Sequence, residues 1–538
     1  MHSRNQSLQS LKRHAKRLLR LAREGEGEAL LRVRTVPRLR PLPGDHIAEH
    51  VCLADALHVV ATELGYRSWP DLKWHLEAAA ATRHERAARV TELLCSPAYR
   101  RGLRLLDADP ALATHDLYAA CAAGRADWVE RALRADAALA LTPGGPHDWV
   151  PILYVTHSRL VRHGPDEGEG AVRIARLLLG HGADPNAYYM DGEDPNARQT
   201  ALYGAAGINN HPALTHMLLE AGADPNDSAP GLGPESLYHA CEHQDNRCLE
   251  LLLDAGAERD KVSYCLARKL DFEDPAGVRL MLAHGADPNF GAGAGPPGTR
   301  LHHAIRNGRS EAIFEMLLDA GADPAIVDAD GLDAYSLAVR HGHEAAQRAL
   351  ERRGFSHEPD PAIAFLGACV RADREAAEEL AAAHAELVGN LPPRLLAGLA
   401  ESAEAGHMAA VELMLDLGFP IEARGGFGTP INQAAWRGRA DVVALLAERG
   451  ADLEALNDYG GTPLDCALHG SFWCANEGGG GHDRITHLRP QYLDTLEVLL
   501  GAGADTGFID PFPMGEPEWD ELLARYGKEP THVETGGH

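Results

Sequence analysis

Read for its alternation of apolar and polar positions, most of the chain breaks into short helical blocks. Each block pairs a first helix of small residues with a second helix that closes on paired leucines, then glycine and a turn. In the block from 429 the run is Thr429-Pro-Ile-Asn432-Gln-Ala434-Ala435, a break at Gly438, Leu445-Leu446, and Gly450-Ala-Asp. Thr429 and Thr462 are suited to N-cap a helix, because a hydroxyl oxygen accepts from an amide that has no helical partner. Pro430 and Pro463 follow at the first helical position, where a missing N–H costs nothing. The closing glycine is expected in the left-handed conformation that ends a helix. Asp-Pro-Asn then favours a tight turn.

That closing phrase recurs. It reads LLLGHGADPN to Asn186, MLLEAGADPN to Asn226, LLLDAGAERD to Asp260, LMLAHGADPN to Asn289, MLLDAGADPA to Ala325, LLAERGADLE to Glu454 and LLGAGADTG to Gly507. The glycines at 182, 222, 256, 285 and 321 are 40, 34, 29 and 36 residues apart, and weaker copies place Gly354 33 further on and Gly418 64 beyond it. A period near 33 residues predicts stacked units, since one helix pair cannot bury its apolar face alone. Four helix starts share a pattern: Thr200-Ala-Leu-Tyr203, Thr299-Arg-Leu-His302, Thr429-Pro-Ile-Asn432 and Thr462-Pro-Leu-Asp465. With both motifs at one period, the chain resembles ankyrin-repeat proteins over roughly residues 112–507. The resemblance implies an all-α fold, an ankyrin-repeat solenoid of about 11–12 helix–turn–helix repeats with projecting loops or hairpins, divergent around 359–424. It also implies a role in binding other proteins.

The interruptions at 159–170 and 470–490 are expected to be surface loops, the second containing the glycine run Gly478–Gly481. Residues 1–80 follow another pattern. Leu8, Leu11, Ala15, Leu18, Leu19 and Ala22 form a helical stripe, with Lys12, Arg13, Lys16, Arg17, Arg20 and Arg23 around it. The stripe predicts docking on the helical segment from Leu53 to Ala79, leaving the cations solvated. Nucleic-acid or membrane-surface binding by the same cations is the competing reading. This module resembles a small helical extension that precedes ankyrin arrays in many bacterial proteins. The expected organisation is a basic module at 1–80, a helical connector at 81–111, the array at 112–507 and a cap or tail at 508–538.

Charge sharpens the functional reading. The 538 residues hold 51 basic and 78 acidic side chains, a net charge of −27; the first fifty residues carry +6, leaving −33 for the rest. That balance argues against a protein that coats nucleic acid or an anionic membrane. It predicts instead a partner with basic patches. No apolar run reaches eighteen residues, so no membrane span is expected. Nine cysteines, an odd number without a CxxC pair, suit small buried thiols in a reducing cytoplasm. A monomer is expected.

Several candidates for chemistry are weak. His46-Ile-Ala-Glu49-His50 matches the inverted zinc-protease pattern, but it is short and lies among Pro41, Pro43 and Gly44. Cys466, His469, Cys474, His482 and His487 have irregular spacing for zinc. Gly293-Ala-Gly295-Pro-Pro-Gly298 spells GxGxxG without a preceding strand. The expectation is therefore no catalytic residue, no cofactor and no metal: a non-enzymatic scaffold that binds its partner on a concave face. An activity hidden in the N-terminal module, or a nucleic-acid adaptor using the basic helix, are the alternatives. The partner-binding candidates are Tyr188, Tyr189, Met190, Asp191, Phe290, Phe427, Asp458, Tyr459, Phe472 and Trp473, because aromatic residues at loop tips bury area with few rotors.

Overall fold

The structure is a computed structural model that describes residues 8–36, 39–40, 43–66, 69, 72–73, 76, 81–190, 198–227, 235–291, 298–384, 387–473, 485–509 and 517–528. The chain opens with the helices Leu8–Arg23, Gly27–Val33, Gly44–His50 and Leu53–Glu63. Leu11, Ala15, Leu18 and Ala22 are buried against Val59, Val60 and Ala61, while Lys12, Arg13, Lys16, Arg17 and Arg20 face outward. Arg23 donates to the carbonyl of Val51 at 3.3 Å. This small core is separate from that of the array.

The connector helices Arg83–Leu94 and Tyr99–Ala108 pack together and onto the first repeat. Eleven helix pairs follow among the described residues, from Leu117–Ala122 with Ala126–Ala135 to Pro463–Trp473 with Ile485–Ala502. First helices stack on first helices, and most second helices on second helices, giving two layers. Besides helix, the described residues hold one small antiparallel hairpin, Tyr188–Met190 with Arg198–Thr200, in the register Tyr188 with Thr200 and Met190 with Arg198. At the far end the helix Pro517–Arg525 buries Trp519, Leu522 and Leu523 against the last repeat.

The repeat motif works as its chemistry dictates. Gly182 and Gly222 close their helices at φ of 89° and 97°. The asparagine that ends GADPN then binds the next repeat. Asn186 donates to the carbonyl of Gly222 at 3.0 Å and accepts from the amide of Asp224 at 2.8 Å. Asn226 does the same with Gly256 at 3.0 Å and Glu258 at 2.7 Å, and Asn289 with Gly321 at 2.9 Å and Asp323 at 2.8 Å. Where Asp260 replaces the asparagine, two other side chains bridge the repeats, Arg259 donating to Gly285 at 2.9 Å and Ser263 accepting from Asp287 at 2.8 Å. Glu422 and Glu454 keep the accepting half, to Asp452 and Asp505.

Helix starts follow two designs. Thr462 accepts from the amide of Asp465 at 3.2 Å, and Asp465 accepts from the amide of Thr462 at 2.9 Å. Thr429 instead donates its hydroxyl to Asn432 at 2.7 Å, and Asn432 reaches the next repeat at the Ala455 carbonyl, 2.9 Å. His302 links its repeat to the carbonyl of Leu332 at 3.2 Å in the same way.

One expectation is corrected. The 159–170 segment is not a loop: Arg159–Arg162 forms a 3-10 turn, and Pro165–Gly180 is a helix that begins inside the segment. Pro165 suits the first helical position. Gly170 permits the packing, since a Cβ there would fall 2.4 Å from the Gly124 carbonyl oxygen. The 470–490 segment lies largely outside the described residues. The divergence around 359–424 is physical. The buried core divides between Ile363 and Phe365, and the second-helix layer is thinnest there. The pair Pro361–Val370 with Arg374–Ala383 is joined to Gly398–Ala405 through a 3-10 turn and the short helix Pro393–Leu396.

Candidate partner-binding face

A row of aromatic rings runs across the early repeats. It starts in the loop Thr142–Val150, where Gly144 pairs with Trp149 across a tight turn. Tyr154 holds that loop: its hydroxyl donates to the carbonyl of Gly144 at 2.8 Å and accepts from the amide of His147 at 3.0 Å. A side chain at Gly144 would meet the Tyr118 hydroxyl at 2.4 Å, so only glycine fits. The loop thereby presents His147 stacked on Trp149 at 4.4 Å.

Trp149 in turn stacks on Tyr189 of the hairpin at 4.1 Å. Tyr189 meets His157 edge-on at 5.1 Å, His157 lies 6.1 Å from Tyr203, and Tyr203 lies 5.2 Å from His239. Tyr238 continues the row to Tyr264 at 6.3 Å, and the Arg268 guanidinium covers Tyr238 at 5.4 Å. Tyr188, Met190 and Tyr264 are 49%, 42% and 43% exposed.

Two histidines sit in this row under opposite electrostatics. His239 lies 3.0 Å from both Glu235 and Glu242; burial works against its charge, but the two carboxylates outweigh it and raise its pKa to about 9. His157 is buried, and burial pushes it down to about 4, helped by Arg159 and His147. Its Nδ1 donates to the Leu153 carbonyl at 3.1 Å, so Nε2 carries a lone pair, and that atom has no partner among the described residues. Beside it Arg159 makes no hydrogen bond or ion pair among the described residues. Burial lowers its pKa, and the groups acting on it are Tyr203, Arg162, Tyr99 and Tyr189. A half-buried guanidinium with no carboxylate partner among the described residues stands out in a chain this acidic.

The repeat that follows the hairpin is distorted to fit. Its first helix, Tyr203–Ile208, has π geometry, which marks functional sites more often than ordinary helix does. A Cβ at Gly204 would fall 2.7 Å from the Thr156 carbonyl, and one at Gly207 2.9 Å from His239.

The structure divides the candidates. Tyr189 lies in this row, whereas Tyr188 and Met190 alternate with it along the strand and face the other side of the hairpin, where the Arg198 guanidinium covers Tyr188 at 3.8 Å; Asp191 lies outside the described residues. Phe290 packs under the Arg300 guanidinium at 5.1 Å. Phe427, Asp458 and Tyr459 form a second, distant cluster: Arg424 pairs with Asp458 at 2.5 Å, Phe427 meets Trp436 edge-on at 5.5 Å, and Tyr459 is 87% exposed. Phe472 and Trp473 end their helix, but their side chains lie outside the described residues. Trp149, His157, Arg159, Tyr203, Tyr238 and Tyr264 were not apparent as candidates. Tyr203 and Tyr238 carried a signal, since Thr200-Ala-Leu-Tyr203 and Glu235-Ser-Leu-Tyr238 place tyrosine where Thr299-Arg-Leu-His302 places histidine.

A polar groove of 770 Å³ crosses the divided core, lined by Arg306, Arg340, His341, Glu401, Arg437 and Arg439 among others. Its charges are compensated: Arg340 pairs with Glu401 at 2.8 Å and Arg437 with Glu404 at 2.8 Å. His341 accepts from Arg340 at 2.8 Å and is pushed down to about 4, by burial first and Arg340 second.

Among the described residues the chemical candidates gather no site. His50 turns its Nδ1 back onto the His46 carbonyl at 2.8 Å. Cys466 is buried beneath Asn457, 3.2 Å away, and His469 faces outward; Cys474 and His482 lie outside the described residues, as does the side chain of His487. Of the GxGxxG run only Gly298 is described. Among the described residues no helix is long and apolar enough to cross a membrane.

Comparison with known proteins follows the repeats. The family described as "Ankyrin repeats (many copies)" matches residues 405–467, and "Ankyrin repeat" matches residues 298–326. Cyclin-dependent kinase 4 inhibitor B of Rattus norvegicus is 32% identical over 130 residues, 21% of this chain and 97% of that protein. Protein phosphatase 1 regulatory subunit 27 of Mus musculus is 31% identical over 144 residues, 27% of this chain and 80% of that protein. E3 ubiquitin-protein ligase KEG of Arabidopsis thaliana is 25% identical over 333 residues, 58% of this chain, and the match spans only 20% of that protein. The crystal structure of the human ASB11 ankyrin repeat domain aligns at a TM-score of 0.22 with 20% identity, covering 45% of this chain and 98% of that chain.

Proposed function

This chain belongs to the ankyrin-repeat family, and from that premise we propose that it is a non-enzymatic, cytoplasmic adaptor that holds a partner protein on the concave side of its array. The observation that carries the reading is the aromatic row from Trp149 to Tyr264 with Arg159 inside it, a guanidinium that has no carboxylate partner among the described residues. A rigid stack presents these rings already in place, so a partner meets little ordering cost on this side. Tyr264 in the row, with Tyr188 and Met190 on the exposed side of the hairpin next to it, supplies apolar contact area, and Arg159 receives one carboxylate from the partner. The balance of −33 beyond the first fifty residues favours a partner whose remaining surface is basic. The relatives agree in kind: their names describe a kinase inhibitor and a phosphatase regulatory subunit.

The test is affinity purification of the full chain followed by mass spectrometry, with a Tyr188→Ala/Tyr264→Ala variant in parallel. A partner retained by the wild type and lost by a folded variant supports the reading. Equal retention by both overturns the placement of the face. Affinity that does not respond to ionic strength overturns the basic-partner element.

A further inference from the structure

We propose that His84, His115 and Asp116 form a binding site for a divalent metal of the zinc class, clipping the connector helix to the first repeat. One ligand atom from each residue lies within 4.8 Å of the others. The Nδ1 of His84 and the Nε2 of His115 are 3.3 Å apart. Two ligands held about 2.0–2.1 Å from a tetrahedral zinc stand about 3.3 Å from each other. The imidazoles already have the separation the metal requires.

Each ligand is fixed by its own element. Thr82 and Glu85 cap the start of Arg83–Leu94: the amide of Thr82 donates to Glu85 at 2.7 Å, and the amide of Glu85 donates to Thr82 at 3.2 Å. This sets the first turn that bears His84. His115 caps the 3-10 turn Pro110–Thr114, donating its amide to Leu112 at 3.3 Å. Asp116 caps Leu117–Ala122 with Oδ1, which accepts from Ala119 at 2.8 Å. Its other oxygen takes no hydrogen bond among the described residues. Nearby Arg86 is engaged with Asp109 at 3.5 Å, which offsets its charge.

Two imidazoles and a carboxylate suit zinc, cobalt or nickel rather than calcium or magnesium, which prefer all-oxygen ligand sets. Three protein ligands leave a fourth position for water. The location gives the site a purpose. The end of a stacked array has a neighbour on one side only, and a metal here ties residues 31 positions apart across that end. No sequence motif announces it, because His84 stands 31 residues before His115 and the three ligands belong to three different elements.

The experiment uses the full chain after treatment with a chelator. Cobalt(II) is expected to bind one equivalent, with visible ligand-field absorption and no sulfur charge-transfer band, and zinc is expected to displace it and raise the melting temperature. His84→Ala and His115→Ala should each abolish both effects, while His46→Ala should leave both unchanged. Near-ultraviolet circular dichroism checks that the variants are folded. The proposal is overturned if His115→Ala keeps the cobalt spectrum. It is equally overturned if zinc leaves the wild-type melting temperature unchanged, an imidazole–imidazole hydrogen bond then being the whole contact.

Discussion

The ammonium of Lys269 lies 2.5 Å from the carboxylate of Asp274, with side-chain exposures of 1% and 11%. Lys269 also donates to the carbonyls of His243 at 2.8 Å and Cys241 at 3.3 Å, in the preceding repeat. Asp274 accepts from the Gly277 amide at 3.0 Å and from Asn246 at 2.9 Å. Burial alone would raise the pKa of this carboxyl, but Lys269 and the two hydrogen bonds hold it below the usual range. Gly277 makes room, since a Cβ there would fall 1.9 Å from Lys269 Cε.

Asp274→Ala leaves the ammonium buried without its counter-charge. The expected loss is about 3–5 kcal/mol, read from the urea midpoint and from faster amide exchange across residues 241–283. A loss below about 1 kcal/mol would show that Lys269 finds another partner or reaches water.

Asn226→Ala removes both bonds to the next repeat, at Gly256 and Glu258. Each is worth about 0.5–1.5 kcal/mol net. The expected effect is local: faster exchange at the Glu258 amide, with the Glu258–Leu270 segment loosened before the rest. Ala325→Gly is the control, because alanine there already lacks the side-chain amide.

The array was legible because its signals are local and periodic. The glycine of GADPN must be left-handed, and that demand shows in one copy as well as in seven. The aromatic row was not legible, because it is made between repeats. Trp149 lies in a loop that matches no motif, and its stacking on Tyr189 depends on a tight turn held by Tyr154. Arg159 was hidden for a related reason. Its neighbours Tyr99, Tyr189 and Tyr203 come from three separate segments, and the surrounding segment reads as a loop although it folds as helix.

Histidine protonation should give the stability two opposite slopes. The pKa of His239 is raised from 6.5 to about 9, so the folded state holds the proton more tightly. Its contribution is complete below pH 6.5 and is lost as pH rises through about 9. His157 and His341 are lowered to about 4, and their contribution is lost as pH falls from 6.5 towards that value. Melting temperatures of wild type and His239→Gln should therefore converge on the alkaline side. Those of wild type and His157→Gln should converge on the acid side. Parallel curves over both ranges would show that these side chains reach water.

Arg159→Met separates stability from recognition. The guanidinium is desolvated beside His157 and the phenols of Tyr99, Tyr189 and Tyr203, and no carboxylate among the described residues pairs with it to offset the cost. Methionine keeps much of the apolar stem and removes the charge. The variant is expected to be more stable by on the order of 1 kcal/mol, seen as a higher urea midpoint. It should also bind the captured partner at least about tenfold more weakly, since a buried charge-assisted contact is worth about 1.5–3 kcal/mol. A purely structural role predicts the reverse pattern, a less stable protein with unchanged binding. Arg159→Lys keeps the charge but loses the planar fork, so it should recover only part of the affinity. Stability and affinity that move together in these variants would remove Arg159 from the binding face.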